Sequence, residues 1–315
     1  MVTLNIINNE LIEEKINILY NLQHDINNII KLVYIIINQH DIVEYKKILL
    51  EFIELLVNIN NFELSYLFSE LDVNNCYLEV YPGTGGKESE DWVKILIKMY
   101  MKWVNKFNFK ISIINNITSK EMGFKSMIFY IEGCNAFGWL KTEQGTHRLI
   151  RKSPFNNLNK RHTSFASVRV YPKIKNNIYF DYKDLVINTY RSSGAGGQHV
   201  NTTNSAIRIM HLPTKITAQC QKSRSQHKNR KICLSILYSK IYNLKKKYQK
   251  TKEKKIVNEN WGKQIRSYVL YPYKEIKDVR TKIQSFDTLK NLNGDIYGFI
   301  KLILIKFYID GDDET

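Results

Sequence analysis

The residues best suited to chemistry in this 315-residue chain form one run, Arg191-Ser192-Ser193-Gly194-Ala195-Gly196-Gly197-Gln198-His199-Val200-Asn201. With only Ala195 between Gly194 and Gly196, the loop is nearly bare of side chains and its backbone can reach φ > 0, which other residues resist. Backbone N–H groups there can approach a ligand that side chains would fend off. The first large side chain after the glycines is Gln198, an amide that donates and accepts but carries no titratable proton. A Walker-type phosphate loop is excluded because no Gly-Lys-Ser/Thr follows, and the spacing is not the G-x-G-x-x-G of dinucleotide folds. His199 next to it is a tempting general base but is not assigned that role. The plain alternative is a flexible hairpin tip, since Gly-Gly-Gln alone is short enough to recur by chance.

A second group, Ser153-Pro154-Phe155 with His162, is drawn out only by the family resemblance given below, and its residue types suit contact rather than bond breaking. Ser153 brings a hydroxyl that can donate or accept, Pro154 stiffens the chain, and Phe155 supplies an apolar wall. Nine residues on, His162 offers a flat ring on which an unstacked base can lie. Taken alone, Ser-Pro-Phe is also an ordinary turn.

The patterns around these residues predict an α+β protein. Apolar positions at helical spacing between residues 10 and 72 (Leu11, Ile12, Ile16, Leu19, then Ile48, Leu49, Phe52, Ile53, Leu56) predict a small acidic bundle of two or three helices. Cys76–Val80 reads as a strand, and Pro82-Gly83-Thr84-Gly85-Gly86 as a turn. A helix follows, with Glu88, Glu90 and Asp91 near its positive end and Trp92, Ile95, Leu96, Met99 and Trp103 as its buried stripe. Further strands are expected at Lys110–Ile114, Ser126–Ile131, Ser164–Val170, Leu185–Tyr190, Ala206–His211 and Ile216–Cys220. A long helix is expected over 226–250, and helical patterns close the chain, with Phe299–Phe307 apolar enough to pack back on a core.

Charge separates these regions. The chain carries 47 Lys+Arg against 30 Asp+Glu, net +17. Lys, Ile and Asn are heavily used, as an AT-rich coding sequence would dictate, so the total is less informative than its distribution. Residues 1–75 hold 4 basic and 11 acidic residues, net −7; residues 76–172 are net +8, 173–280 net +18 and 281–315 net −2. No acid occurs between Asp184 and Glu253. A surface so one-sided suits phosphate, because neutralising phosphates releases condensed counterions.

Other classes fall away. The longest apolar runs are too short or too broken by Lys301 and Lys306 to span a bilayer, and the acidic N-terminal segment is unlike a transit peptide, so the expectation is a cytoplasmic protein without membrane contact. Cys76, Cys134, Cys220 and Cys233 form no C-x-x-C pair, which argues for reduced thiols and against a zinc site. No metal and no cofactor are expected.

The run from Arg191 to Arg208, continuing through Gln219-Cys220-Gln221 and Arg224-Ser225-Gln226-His227-Lys228-Asn229, closely resembles the catalytic domain of the bacterial class I peptide chain release factors. The resemblance extends through Gly83-Thr84-Gly85-Gly86-Lys87-Glu88, Gly138-Trp139-Leu140, Gly145-Thr146-His147-Arg148-Leu149, Arg161-His162-Thr163-Ser164-Phe165 and Trp261-Gly262-Lys263-Gln264-Ile265-Arg266-Ser267-Tyr268-Val269-Leu270. It covers roughly residues 75–310. It implies a helical N-terminal domain (1–74), a codon-recognition domain (75–184, with 258–315 packing back onto it) and an inserted Gly-Gly-Gln domain for peptidyl-tRNA hydrolysis (185–257).

The resemblance also implies roles. Ser153-Pro154-Phe155 looks like the codon-reading tripeptide of the members that recognise UAA and UGA, the other branch carrying a Pro-x-Thr type sequence. Gly85 and Glu88 fall against the invariant first U, Thr163 and, less directly, Ile150 against the third base, and Trp261 on a switch loop that senses the decoding centre. A strand Thr, a core Ile and a core Trp are the rival readings of the last three. Gly196, Gly197 and Gln198 carry catalysis, with the Gln198 amide as the donor to the developing negative charge and its side chain, a methylation site in relatives, positioning water. Partners implied are ribosomal RNA of both subunits, the mRNA stop codon, P-site peptidyl-tRNA, a glutamine methyltransferase and a recycling GTPase, with the factor acting as a monomer and not as a stand-alone enzyme. The N-terminal helical segment is shorter than usual for the family, which puts the GTPase contact in doubt. Two rivals are a ribosome-rescue hydrolase, disfavoured by the intact Ser153–His162 region and the acidic C-terminus, and a non-catalytic RNA-binding module.

Overall fold

The computed structural model describes residues 17–34, 42–118, 123–155, 160–174, 182–192, 203–253 and 264–310. Two compact units are distinguished, Met1–Leu67 and Phe68–Thr315. The first contains helices α1 (17–34) and α2 (Ile42–Leu67). Its apolar stripe is only partly used: Leu55 is buried, whereas Leu19, Phe52, Ile53 and Leu56 remain exposed.

The second unit is built on an eight-stranded sheet ordered β11-β10-β9-β4-β5-β1-β3-β2. These strands are β1 (Cys76–Pro82), β2 (Lys110–Thr118), β3 (Phe124–Glu132), β4 (Gly145–Lys152), β5 (Arg161–Pro172), β9 (Gln264–Val269), β10 (Glu275–Asp278) and β11 (Gln284–Ser285). All neighbours run antiparallel except β4 and β9, which are parallel, so the chain returns from far downstream to the middle of the sheet. Helix α3 (Lys87–Lys106) packs on one face, burying Trp92, Val93, Leu96, Met99, Tyr100 and Trp103. Each such side chain contributes about 1.5–3 kcal/mol on leaving water. Residues just before β1 belong to this unit: the Gly138 N–H donates to the Asp72 carbonyl (3.1 Å), and Lys141 pairs with the Asp72 carboxylate at 2.7 Å. A Cβ on Gly138, in the short helix α4 (Ala136–Leu140), would stand 2.5 Å from the Phe68 ring, which explains a glycine inside that helix.

The opposite face of β1 takes a second module. Its three-stranded antiparallel sheet, β6 (Leu185–Tyr190), β7 (Ala206–His211) and β8 (Ile216–Cys220), is covered by α5 (Gln226–Glu253). One apolar core joins Ile207, Ile209, Cys220, Cys233, Ile236, Leu237 and Ile241 of this module to Tyr77, Ile128, Tyr130 and Tyr171 of the large sheet. Polar ties border it: Tyr77 donates to Ser235 Oγ (3.0 Å), Lys240 pairs with Glu79 (2.9 Å) and Gln221 donates to the Asn116 carbonyl (2.9 Å). The chain closes with α6 (Thr288–Leu292) and α7 (Tyr297–Asp310), whose Phe299, Ile300, Ile303 and Leu304 are buried as expected.

The strands expected in the first half occur with longer ends, and β6, β7 and β8 fall at the expected residues. Strand β4 was hidden by its charges. Strands β9 to β11 were not expected either, and β9 is covered on both faces, so its burial shows no alternation. All four cysteines are free thiols, with Cys134 alone exposed. Among the described residues no helix is long and apolar enough to cross a membrane.

Candidate functional site

At one corner of the large sheet the glycine turn before α3 meets the tip of the β4–β5 hairpin. Gly85 has φ +134°, which demands glycine, and a Cβ there would in addition stand close to Ser164 Cα, at 3.2 Å. The turn is locked to β5: the Gly83 N–H donates to the Phe165 carbonyl (2.8 Å) and the Phe165 N–H to the Thr84 carbonyl (3.0 Å). This lock holds the first turn of α3, with Glu88, against the hairpin.

Glu88 is nearly buried and fully engaged. One oxygen accepts from Ser153 Oγ and the other from the Arg151 guanidinium at 2.9 Å, which also reaches Asp91 at 2.6 Å. Ser153 Oγ accepts in turn from the Phe155 N–H (3.1 Å), and the Ser153 N–H donates to the Lys160 carbonyl (3.1 Å). Ser153 is therefore a buried hydroxyl that fixes its loop, and Phe155, 43% exposed, is the side chain the loop presents. Pro154 between them is exposed as well.

Cross-strand register places Ile150 opposite Thr163 and Arg151 opposite His162. Strand alternation sends His162 to the α3 face with Arg151 and Ser164, and Thr163 to the other face with Ile150 and Lys152. Thr163 is exposed, His162 half-buried, and Ile150 only 4% exposed. Thus Gly85, Glu88, Ser153, Pro154, Phe155, His162 and Thr163 come together at one corner, whereas the Ile150 side chain belongs to the core.

In the second module, β6 and β7 are the two ends of the glycine-rich segment. Gly196, Gly197 and Gln198 lie outside the described residues, as does Trp261. The base of the segment is held by Asn229, which has no exposure: its amide donates to the carbonyls of Ser205 (2.8 Å) and Ser223 (2.6 Å), and its oxygen accepts from the Ser223 N–H (2.8 Å). A buried amide that bridges two loops explains why a polar residue stands on the inner face of α5.

The least legible feature is a buried ionic network behind the corner. Arg266 and Glu143, both without exposure, meet through two hydrogen bonds of 2.8 and 2.6 Å. Asp278 lies 3.3 Å from Arg266 and is clasped by Arg280 at 2.9 Å. His147 sits among Tyr100, Tyr268 and the Glu143 carbonyl, and its own carbonyl accepts from Trp92 Nε1 (3.0 Å). Burial, with help from Arg266 and Arg280, pushes His147 down to about 4, so it is a neutral imidazole at neutral pH. Burial also acts to raise Glu143, but the guanidinium of Arg266, with that of Arg280, outweighs it and holds the carboxyl below the usual range. Nothing in the sequence separates these charges from the many exposed ones.

Comparison with known proteins agrees with this architecture. Residues 7–168 match the PCRF domain family and residues 173–280 the RF-1 domain family. The chain is 45% identical over 300 residues to peptide chain release factor 2 of Rickettsia typhi, covering 93% of this chain and 81% of that protein. It is 50% identical over 250 residues to peptide chain release factor 2 of Rickettsia felis, covering 77% and 68%. Among solved structures, RF2 of Thermus thermophilus superposes with a TM-score of 0.81 at 32% identity, covering 93% of this chain and 84% of that one.

Proposed function

The chain belongs to the class I peptide chain release factors, which act in translation termination, and from that premise we propose that it recognises UAA and UGA in the ribosomal A site and triggers hydrolysis of the peptidyl-tRNA ester. The observation that carries the codon-reading part is the corner where Ser153 Oγ is hydrogen-bonded to Glu88 and Phe155 is exposed. Gly85 and Glu88 at the tip of α3 receive the invariant U, since fixed backbone groups at a helix tip match the edge of U and refuse a purine sterically. Ser153 can satisfy either the amino group of A or the carbonyl of G at the second position, by exchanging Glu88 for the base. His162 supplies a surface for stacking, and Thr163 reads the third base from the opposite face of β5.

In the second module Gly196 and Gly197 free the backbone so that the Gln198 N–H meets the negative charge that develops on the tetrahedral intermediate and the leaving ribose hydroxyl. A fixed donor aimed at that charge stabilises the transition state more than the ground state. The Gln198 side chain positions water. Because most of the remaining catalytic site is ribosomal RNA, the protein is a factor and not a stand-alone enzyme. Trp261 serves as the sensor of the decoding centre. A monomer in the cytoplasm, engaging mRNA, peptidyl-tRNA and ribosomal RNA of both subunits, completes the reading, with a glutamine methyltransferase and a recycling GTPase as further partners.

Peptide release from stop-codon ribosomes tests the catalytic assignment. Gly197→Ala is expected to abolish release while leaving ribosome binding intact, and Gln198→Ala to leave binding nearly intact. Release by both variants at the wild-type rate would refute it.

A further inference from the structure

The glycine-rich segment leaves β6 after Tyr190 and returns to β7 at Ala206, and these two residues are opposite one another in the ladder. They close the neck of the segment. Ser205, buried and one residue before that neck, is held from the first turn of α5 by Asn229. The Asn229 amide, which has no exposure, makes every bond it can: its nitrogen donates to the carbonyls of Ser205 (2.8 Å) and Ser223 (2.6 Å), and its oxygen accepts from the Ser223 N–H (2.8 Å) and the Cys220 thiol (3.6 Å). Gln226, at the start of α5, adds an exposed bond to the Asn204 carbonyl at 3.4 Å.

The apolar core of the module does not ask for this arrangement, since Ile207, Ile209, Ile236 and Leu237 are already packed together. Asparagine is also a weak helix former away from a cap, because its side chain competes for backbone groups. What the amide achieves is positional. It ties the returning leg of the segment to the turn after β8 and to the rigid start of α5, with two donors and an acceptor that no other side chain of its size supplies together. Catalysis by a fixed backbone donor depends on such placement, because a displacement of about 1 Å caused far from the reacting atoms can cost about a hundredfold in rate.

We propose that Asn229 is a positioning residue for peptide release: through the Ser205 carbonyl it fixes the neck of the glycine-rich segment, and with it the aim of the Gln198 N–H and side chain. Gln226 supports the same leg from the exposed side. The inference rests on the termination reading and adds a residue outside Gly-Gly-Gln that touches neither the message nor the ester.

The test uses the full chain and purified ribosomes stopped at UAA, with release followed over protein concentration in water and with hydroxylamine added. The hydroxylamine nitrogen attacks the same ester carbonyl, forming a peptidyl hydroxamic acid as the C–O bond breaks and the proton passes to the leaving ribose hydroxyl. The hydroxamate share of the product therefore reads how well Gln198 selects water. Asn229→Ala is expected to lower the rate at saturation about tenfold, leave the half-maximal concentration unchanged, and raise the hydroxamate share toward that of Gln198→Ala. Asn229→Asp, which keeps the shape but offers the two carbonyls no donor, should move in the same direction, and Gln226→Ala less far. A merely structural role would reduce the amount of active protein, raising the apparent half-maximal concentration while the hydroxamate share stays at the wild-type value. That outcome, or a wild-type rate at saturation in both Asn229 variants, would overturn the inference. If neither Asn229 variant folds, Gln226→Ala decides: a raised hydroxamate share supports the inference and a wild-type share overturns it. A wild-type protein that releases nothing at UAA would instead overturn the termination reading, and the inference with it.

Discussion

The hydroxyl of Ser153 hydrogen-bonds the carboxylate of Glu88, joining the hairpin tip to the first turn of α3 across 65 positions of sequence. The two segments expected to face different codon bases are thus one mechanical unit, steadied by Arg151 on the other carboxylate oxygen. Glu88→Ala removes the acceptor but leaves Arg151 its pair with Asp91, so the fold should lose only about 1–2 kcal/mol. Release at UAA should need about tenfold more protein, with little change at saturation. Glu88→Gln, which keeps an acceptor for Ser153, should fall between. Concentration dependence of release, set beside denaturation midpoints, separates the two effects.

Behind this corner, Arg266 and Glu143 form a bidentate pair with no access to water. Breaking such a pair leaves a charge buried and uncompensated, so Arg266→Ala should cost about 3–5 kcal/mol. Arg266→Met combined with Glu143→Gln should recover part of that loss, since the desolvation cost of both charges goes with them. Chemical denaturation of the single and double variants measures the coupling. Full additivity would mean that the two side chains do not act as a pair.

The same network sets an acid limit. His147 is held at about 4 in the folded chain against an ordinary 6.5, so between these values the unfolded chain binds the proton that the folded one refuses. Stability is therefore full above about pH 6.5 and falls as pH drops toward 4, by up to about 3 kcal/mol from this group. Glu143 and Asp278, both lowered, lose stability in the same direction at still lower pH. Denaturation midpoints between pH 4 and 7.5 should show a drop that His147→Gln makes shallower. A wild-type midpoint independent of pH in this window would contradict the buried neutral imidazole.

What the sequence discloses about this molecule follows from range of interaction. Helix α3 was legible because its stripe and the glycines before it are local signals, and β6, β7 and β8 because their apolar positions and turns are contiguous. The glycine-rich segment stood out through its density of glycines, whereas Ser153-Pro154-Phe155, an ordinary turn by itself, was legible only through the family resemblance of the longer motifs around it. Strand β4 was not legible, because His147, Arg148, Arg151 and Lys152 mask its pattern and their partners arrive from elsewhere. Arg266 meets Glu143 across 123 positions, and Asn229 looks like any polar residue on a basic helix until the loops it bridges are seen. The burial of Ser153 is of the same kind, since the carboxylate its hydroxyl meets, Glu88, lies 65 positions away in sequence.

The central claim, stop-codon-dependent release with UAA and UGA specificity, is tested most directly by the rate of peptide release from purified ribosomes presenting UAA, UGA or UAG. The protein is expected to release at UAA and UGA and not at UAG, and exchanging Ser153-Pro154-Phe155 for a Pro-x-Thr type tripeptide should abolish release at UGA while sparing UAA. Equal release at all three codons, or undiminished release at UGA after the exchange, would contradict it.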